Sequence, residues 1–278
     1  MRIDGHVHID AGAVAQKRLL DEMRKAGVDG ACLMSLPPSD ARRASDRIGN
    51  VLSWTKGRKE LYPFFWIDPT AEDAARQVEQ AVISGVVGFK VICSKHAPDD
   101  PRAMATYHAI AERGKPILFH SGILWDGRPS SAFNRPAAFE CLLEVPRLRF
   151  SLAHMSWPWL DECVAVYGKF LRATISQPEE APEMFVDLTP GTPPIYREEA
   201  LTKLFTVGYD VADNVIFGTD TVTSGYNVRW SREWQVQDEA IMNRLRVGSD
   251  VVAKVFGGNL LRWLDGTPKK RPAPKMGE

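Results

Sequence analysis

The sequence contains few cysteines, and none of them stand at a metal-binding spacing. The four cysteines are scattered along 278 residues without a CxxC motif: Cys32, Cys93, Cys141 and Cys163. This distribution argues against a zinc knuckle and against a disulfide framework. We therefore expect reduced thiols that are mostly buried, because a free cysteine usually behaves as a small hydrophobic residue.

The sequence also lacks long apolar runs and an excess of either charge. No run approaches the roughly 20 apolar residues of a membrane span, and residues 1–10 lack the basic and apolar regions of a signal peptide. The 35 Lys and Arg residues balance 35 Asp and Glu residues, so the chain has no net charge to attract nucleic acid or an anionic membrane. We expect a cytoplasmic protein that binds a small-molecule substrate, with no nucleic-acid or membrane partner. Formation of a homo-oligomer is left open.

Short β-rich runs alternate with helical segments from end to end, which is typical of a parallel sheet with crossover helices. Strands are predicted at residues 1–8, 30–35, 62–67, 86–91, 115–120, 149–154, 184–188 and 214–220. Helices are predicted at residues 15–26, 45–56, 71–84, 101–113, 136–145, 160–167, 196–207 and 251–264, the last of them packed on the outside. About eight such pairs, in a chain near the roughly 250 residues of one barrel, predict an α/β fold with a single (β/α)8 TIM-like barrel over residues 1–266. Residues 267–278 are basic and Pro-rich and are predicted to form a flexible tail.

Two histidines at the end of the first predicted strand are the first candidate metal ligands. His6 and His8 are two residues apart on a strand, so their side chains point to the same face and can bind one ion. Barrels of this class carry their active site at the C-terminal ends of the strands, where both histidines fall. A His-x-His motif alone has a high false-positive rate, so other strand ends have to supply the remaining ligands.

Other predicted strands end in residues of the same chemical types. These are Lys90 near the end of strand four, His120 at the end of strand five, His154 at the end of strand six and Asp220 at the end of strand eight. The histidines follow apolar runs, and buried polar side chains must be paired or coordinated. Any single one of these histidines could be a structural core residue hydrogen-bonded to the backbone. That alternative does not explain why the whole set stands at strand ends. Imidazole and carboxylate ligands without thiolates suit zinc or another borderline divalent ion.

This residue set predicts metal-assisted chemistry. A catalytic metal ion lowers the pKa of its water to about 7, which makes hydroxide available at neutral pH. Asp220 can then both bind the metal and accept the proton of that water. His154, at the end of predicted strand six, can polarise a substrate carbonyl or move protons.

Six short motifs, taken in order, resemble a known superfamily. They are Ile-Asp-Gly-His-Val-His at 3–8, Gly-Phe-Lys at 88–90, Phe-His at 119–120, Leu-Ala-His at 152–154, Phe-Gly-Thr-Asp at 217–220 and Gly-Asn at 258–259. The chain resembles the amidohydrolase superfamily over nearly its whole length, specifically the amidohydrolase-related branch that includes aminocarboxymuconate-semialdehyde decarboxylase. The resemblance implies that His6, His8, His120 and Asp220 bind one divalent ion, usually zinc, and that His154 is the catalytic histidine beside it.

The role of Lys90 separates two versions of such a site. In two-metal amidohydrolases a carboxylated lysine at the end of strand four bridges the ions, and the histidines of strands five and six hold the second one. One-metal relatives also carry Gly-Phe-Lys without a bridge. We favour one ion with Lys90 as a substrate or water contact, and a two-metal site with carboxylated Lys90 is the alternative. His96 is predicted in a loop that can reach the pocket, and His108 on a helix at the surface or in the outer core.

Aromatic and basic residues in the predicted loops after strands five, six and eight suggest a substrate type. The tryptophans are Trp125, Trp157, Trp159, Trp230 and Trp234, and the arginines are Arg128, Arg135 and Arg229. Indole walls favour a flat or apolar substrate, and an arginine can grip a carboxylate through two parallel hydrogen bonds. The alternative is that the tryptophans pack the loops together and the arginines face solvent.

Three functions follow from these residues. The leading hypothesis is a metal-dependent hydrolase that attacks an amide, lactone or ester bond of a small carboxylated molecule with metal-activated water. The same ligands also support non-oxidative decarboxylation of an aromatic or enoic acid. The third alternative is an inactive barrel that serves as a binding protein, against which the complete ligand set argues.

Overall fold

The strands form one parallel sheet in the computed structural model, which describes residues 1–12 and 14–267. Its strands are β1 (Ile3–His8), β2 (Gly30–Met34), β3 (Leu61–Trp66), β4 (Gly88–Val91), β5 (Ile117–Phe119), β6 (Arg149–Leu152), β7 (Glu183–Asp187), β8 (Val215–Ile216) and β9 (Thr221–Val222). Their order in the sheet is β8-β7-β6-β5-β4-β3-β2-β1-β9. The flexible tail predicted at residues 267–278 lies outside the described residues from position 268 onward.

The sheet closes through the segment that carries β8 and β9. β8 pairs with β7 at one edge, and β9 pairs with β1 at the other. Between them, the amide of Gly5 donates to the carbonyl of Phe217, and the amide of Asp220 donates to the carbonyl of His6, each at 2.9 Å. The predicted TIM-like barrel is confirmed. Its eighth strand is interrupted, because the chain turns at Asp220, which has a φ of 57°.

The helices follow the strands around the outside of the barrel. They are α1 (Gln16–Lys25), α2 (Ala44–Thr55), α3 (Ala74–Ser84), α4 (Pro101–Glu112), α5 (Leu160–Ser176), α6 (Pro194–Thr206), α7 (Val228–Arg244), α8 (Ser249–Ala253) and α9 (Asn259–Asp265). The predicted helix at residues 136–145 is a 3₁₀-helix, Pro136–Glu144, and the one predicted at residues 160–167 continues to Ser176. A π-helical turn, Lys254–Gly258, interrupts the last predicted helix. In the described part of the chain, no helix combines the length and the hydropathy needed to cross a membrane.

Helix α7 is the element that the hydrophobic pattern missed. Half of its buried face is polar, because Ser231, Gln235 and Asp238 are buried beside Trp234, Ile241 and Met242. A helix whose inward positions are polar shows a weak apolar period in its sequence. The helix begins at Asn227, whose side chain accepts a hydrogen bond from the amide of Trp230, as N-cap residues commonly do.

The inside of the barrel is apolar at its N-terminal end and polar at its C-terminal end. One buried cluster combines inward-facing strand residues with the last helix, and includes Phe64, Leu118, Phe185 and Trp263. His120 and Asp187 follow Leu118 and Phe185 by two residues. They therefore point to the same inner face of the barrel, because side chains two apart on a strand share a face. The last helix was predicted to pack on the outside, and this was wrong for the side chain of Trp263. That indole is fully buried and stacks on Phe64 with ring centroids 5.6 Å apart.

Candidate metal centre

Three of the predicted ligands converge at the C-terminal end of the barrel. The Nε2 atoms of His6 and His8 lie 3.2 Å apart. Asp220 Oδ1 lies 3.2 Å from Nε2 of His8 and 3.7 Å from Nε2 of His6. One ligand atom from each residue lies within 4.8 Å of the other two. This set of two imidazoles and a carboxylate fits a divalent ion such as zinc.

His120 and His154 lie beside this group. Their rings are 4.9 Å apart, and the ring of His154 is 5.6 Å from that of His6. Nε2 of His120 and Nδ1 of His154 are buried without a hydrogen-bond partner among the described residues. Leaving a buried polar nitrogen unpaired costs free energy, so Nε2 of His120 is suited to bind an external partner. Nδ1 of His154 faces the backbone of Pro190 instead. The chain alone brings three of the four predicted ligands together, with His120 adjacent to them.

Two site residues have a left-handed backbone. Asp220 has a φ of 57°, and His154 has a φ of 64°. This conformation costs a residue other than glycine roughly 1–2 kcal/mol, and such costs cluster at functional sites. Gly191 allows the loop after β7 to pack closely against His154, because a Cβ atom at position 191 would lie 2.6 Å from Cβ of His154.

Burial and neighbouring charges determine the protonation of the site. Burial lowers the pKa of Lys90 to about 8, although Asp220 and Asp187 oppose that shift. Burial also lowers the pKa of His6, helped by Lys90, and that of His120, helped by His154. Desolvation raises the pKa of Asp220, but the hydrogen bond with His8 and the neighbouring imidazoles bring it below its ordinary value. Neutral imidazoles and an ionised carboxylate are the forms that bind a metal ion.

Lys90 is enclosed beside these ligands. Its side chain on β4 is 1% exposed, and its Nζ lies 3.3 Å from Nε2 of His6. Among the described residues that line the adjoining cavity, Lys90 is the one lysine or arginine. It is therefore the cation available to an anionic ligand there.

A cavity of about 310 Å³ opens above the candidate ligands. Its apolar walls include Trp66, Ile92, Ile123, Leu124, Trp157 and Pro190. Trp157 stacks on Tyr196 with ring centroids 4.9 Å apart, and Trp125 lines the cavity although its residue surface is 88% exposed. The cavity is therefore walled on several sides by flat apolar groups.

The predicted arginines do not line this cavity. Arg128 is exposed in the loop after β5. Arg229 lies on α7 and not in a loop, and its Nε donates to Oε1 of Glu233 at 2.6 Å. Arg135 pairs with Glu162 at 2.5 Å. These contacts follow the alternative in which the arginines face solvent and surface partners.

Three of the predicted tryptophans lie at helix ends or on helices. Trp159 precedes α5, and Arg135 lies over its ring at 5.2 Å. Trp230 and Trp234 lie on α7 and not in a loop, because that helix starts at Val228. Trp234 is buried, and Nε1 of Trp230 donates to the carbonyl of Thr219 at 2.9 Å.

The family follows from the match of the whole sequence. A family model described as amidohydrolase matches residues 3–265. The chain belongs to the amidohydrolase family. This family is generally metal-dependent, and membership supports an enzyme of the metal-dependent hydrolase kind. No curated protein matches the sequence.

Solved structures share the fold at low identity. An uncharacterised TIM-barrel protein from Bordetella bronchiseptica has a TM-score of 0.67 and 17% identity, with 95% of this chain and 98% of that chain covered. Amidohydrolase 2 from Bifidobacterium longum subsp. infantis has a TM-score of 0.60 and 15% identity, with 95% and 98% covered. Dihydroorotase from Campylobacter jejuni has a TM-score of 0.58 and 14% identity, with 95% and 83% covered. At these identities the likeness concerns the fold alone.

Two buried carboxylates near the ligands were missed in the sequence. Asp187 ends β7, and its Oδ2 lies 3.2 Å from Nδ1 of His6. Asp4 on β1 accepts hydrogen bonds from the amides of His6 and Thr219 and from the hydroxyl of Tyr226. An acidic residue in an otherwise apolar strand was the available signal, as in Met184-Phe-Val-Asp187.

The two remaining histidines stand apart from the ligand group. His96 lies in the loop after β4, where it is buried and does not line the cavity; its Nε2 has no hydrogen-bond partner among the described residues. His108 lies on α4 and is partly buried. Both placements agree with the secondary structure expected for them.

Proposed function

We propose that the protein is a hydrolase that attacks an amide, lactone or ester bond of a small carboxylated substrate with metal-activated water. The convergence of His6, His8 and Asp220 at the base of a cavity is the observation that carries this proposal. These three residues, together with His120, would hold one divalent ion, preferably zinc. A bound ion of this kind acts as a Lewis acid that lowers the pKa of water to about 7.

Asp220 and His154 supply the proton transfers of the proposed reaction. Asp220 lines the cavity and is 37% exposed, so its carboxylate can accept the proton of the attacking water. His154 lines the same cavity beside the candidate ligands, with its ring 5.6 Å from that of His6. It can therefore hydrogen-bond to the substrate carbonyl or protonate the leaving group.

The cavity also supports the proposed substrate class. Its volume of about 310 Å³ lies at the small end of the roughly 300–1,000 Å³ that ligand pockets span. Trp66 and Trp157 favour a flat molecule, and Lys90 is the cation that can contact a carboxylate. Trp125 at the rim completes the substrate contacts, whereas Arg128 and Arg229 lie outside the cavity.

The experiment combines metal analysis with a substrate panel. Purified protein is expected to hold close to one equivalent of divalent metal, and two equivalents with added carboxylate mass on Lys90 would replace the one-metal site by the two-metal alternative. Small cyclic amides, lactones and esters are then tested with and without a carboxylate, and the carboxylated compounds are expected to be hydrolysed faster. Release of carbon dioxide without ring opening would show a decarboxylase. A metal-loaded protein that binds these compounds without turnover would show a binding barrel.

A further inference from the structure

Asp187 contacts His6, the first of the proposed metal-binding histidines, at the ring nitrogen that faces away from the other candidate ligands. Its carboxylate is 0% exposed and does not line the cavity, so it does not touch a substrate bound there. Oδ2 of Asp187 lies 3.2 Å from Nδ1 of His6. The other ring nitrogen of His6, Nε2, faces His8 and Asp220. Oδ1 accepts the amide of Thr189 at 2.6 Å and also the hydroxyl of Thr189.

These contacts determine which nitrogen of His6 carries the proton. A neutral imidazole has one N–H and one lone pair, and an ionised carboxylate can only accept. Asp187 therefore favours the proton of His6 on Nδ1, and so does the ammonium of Lys90, whose Nζ lies 3.3 Å from Nε2 and can only donate. The lone pair is then on Nε2, which lies 3.2 Å from Nε2 of His8 and 3.7 Å from Asp220. A carboxylate behind a metal-binding histidine fixes both its ring orientation and its tautomer.

We propose that Asp187 is a positioning residue that prepares His6 for the metal ion by holding its Nδ1-protonated tautomer. The proposal rests on the proposed metal site, which names His6 as a ligand. Asp187 also ties β7 to the turn at Thr189, after which Gly191 packs against His154. The same carboxylate thus connects a ligand on β1 with the loop behind the proposed catalytic histidine.

Asp187→Asn tests this role because the contacts of the new side chain determine which side its oxygen faces and which side its NH₂ group faces. The amide of Thr189 only donates, so it holds the new side-chain oxygen, and the new NH₂ group must face Nδ1 of His6. That NH₂ group donates to Nδ1 and forces the proton of His6 onto Nε2, which removes the lone pair from the metal site. The expected result is Zn²⁺ binding weakened by about 10- to 100-fold in competition with a chelator.

Asp4→Asn is the matched control. Asp4 is also 0% exposed, and its Oδ1 accepts two backbone amides. Its Oδ2, however, accepts the hydroxyls of Thr219 and Tyr226, which can rotate to accept a hydrogen bond from an NH₂ group. This variant removes the same buried charge without touching an imidazole, so its affinity for Zn²⁺ is expected to stay at the wild-type value.

The imidazole ¹⁵N spectrum of the metal-free protein reports the tautomer directly. His6 is expected to be protonated at Nδ1 in the wild type and in Asp4→Asn, and at Nε2 in Asp187→Asn. Equal losses of Zn²⁺ affinity in the two variants, or a wild-type His6 protonated at Nε2, would overturn the role of Asp187. If Asp187→Asn does not fold, a wild-type His6 protonated at Nε2 still overturns the role of Asp187, and Lys90→Met shows whether the Nδ1 tautomer persists without the ammonium 3.3 Å from Nε2. A wild type that binds no Zn²⁺ would instead overturn the proposed function, while its spectrum still tests the tautomer.

Discussion

Asp220 combines a lowered pKa with a left-handed backbone. Its pKa is lowered, because the hydrogen bond with His8 and the neighbouring imidazoles outweigh a desolvation that by itself raises the value. Its backbone has a φ of 57°, which is costly for a residue other than glycine. The turn and the lowered pKa together place an ionised oxygen beside the two histidines, as the proposed roles of metal ligand and proton acceptor require.

Replacing Asp220 by Asn is expected to lower kcat/KM by more than about a hundredfold, the scale of general base catalysis. The amide has a similar volume but cannot accept the proton and binds a metal ion more weakly. The variant is assayed at saturating zinc, with metal content and circular dichroism measured on the same sample. Near-normal turnover in the metal-loaded variant would contradict the assignment.

His154→Ala is expected to keep the metal ion and to lose turnover by roughly a hundredfold or more. The four proposed ligands remain in place, and the variant removes a side chain that lines the cavity. Metal content, melting temperature and turnover are measured together. Loss of one of two metal ions would show that His154 is a ligand, and full turnover with a lower stability would show that it is structural.

At the scale of elements, a buried ion pair joins α6 and α7 to the end of β7. Arg197 and Asp238 are both 0% exposed, and Nη2 of Arg197 lies 2.7 Å from Oδ2 of Asp238. The same nitrogen donates to the carbonyl of Leu188, one residue after Asp187. The guanidinium also lies over the ring of Trp234 at 4.8 Å. This pair therefore supports the loop behind the metal centre.

Asp238→Ala is expected to lower the free energy of unfolding by about 3–5 kcal/mol, because it leaves the charge of Arg197 buried and unpaired. Urea denaturation measures this loss. Glu233→Ala is the matched control on the same helix, since it breaks the exposed pair with Arg229 and is expected to cost under about 1 kcal/mol. Equal small effects in both variants would show that the buried pair does not anchor the helices.

At the scale of the whole molecule, the proposed metal site lies where the two ends of the sheet meet. His6 and His8 lie on β1, and Asp220 lies between β8 and β9. An ion bound to these residues therefore stabilises the closed barrel against any unfolding that separates the strands. This coupling gives the proposed site a thermodynamic signature that does not require a known substrate.

Zinc at about 100 times its dissociation constant is expected to raise the free energy of unfolding by about 2.7 kcal/mol, if the unfolded chain does not bind it. The corresponding rise in melting temperature is about 5 °C for a chain of this size. His8→Ala, which removes a ligand, is expected to lose this rise, and His108→Ala on α4 is expected to keep it. A wild type with no zinc-dependent shift would argue against the metal site.

The barrel and the positions of most candidate site residues could be predicted from local sequence. Alternating apolar strands and helices indicated the fold, and a strand places residues 6 and 8 on one face wherever it lies. Strand ends in a parallel barrel meet at one edge, so His120, His154 and Asp220 were expected near each other. The periodicity failed at α7, because its inward face uses Ser231, Gln235 and Asp238 as well as apolar residues.

The sequence by itself determined which residue types stand at the strand ends. Each strand end is recognisable from a short apolar run and the polar residue that follows it. Only the tertiary structure decided which donor atoms converge: His6, His8 and Asp220 form the compact group, while His120 lies beside it. Only the tertiary structure brought Asp187, 181 positions away in sequence, to Nδ1 of His6. Such contacts depend on strand register and on the turn at Asp220, which arise when the sheet closes and leave no periodic signal in the chain.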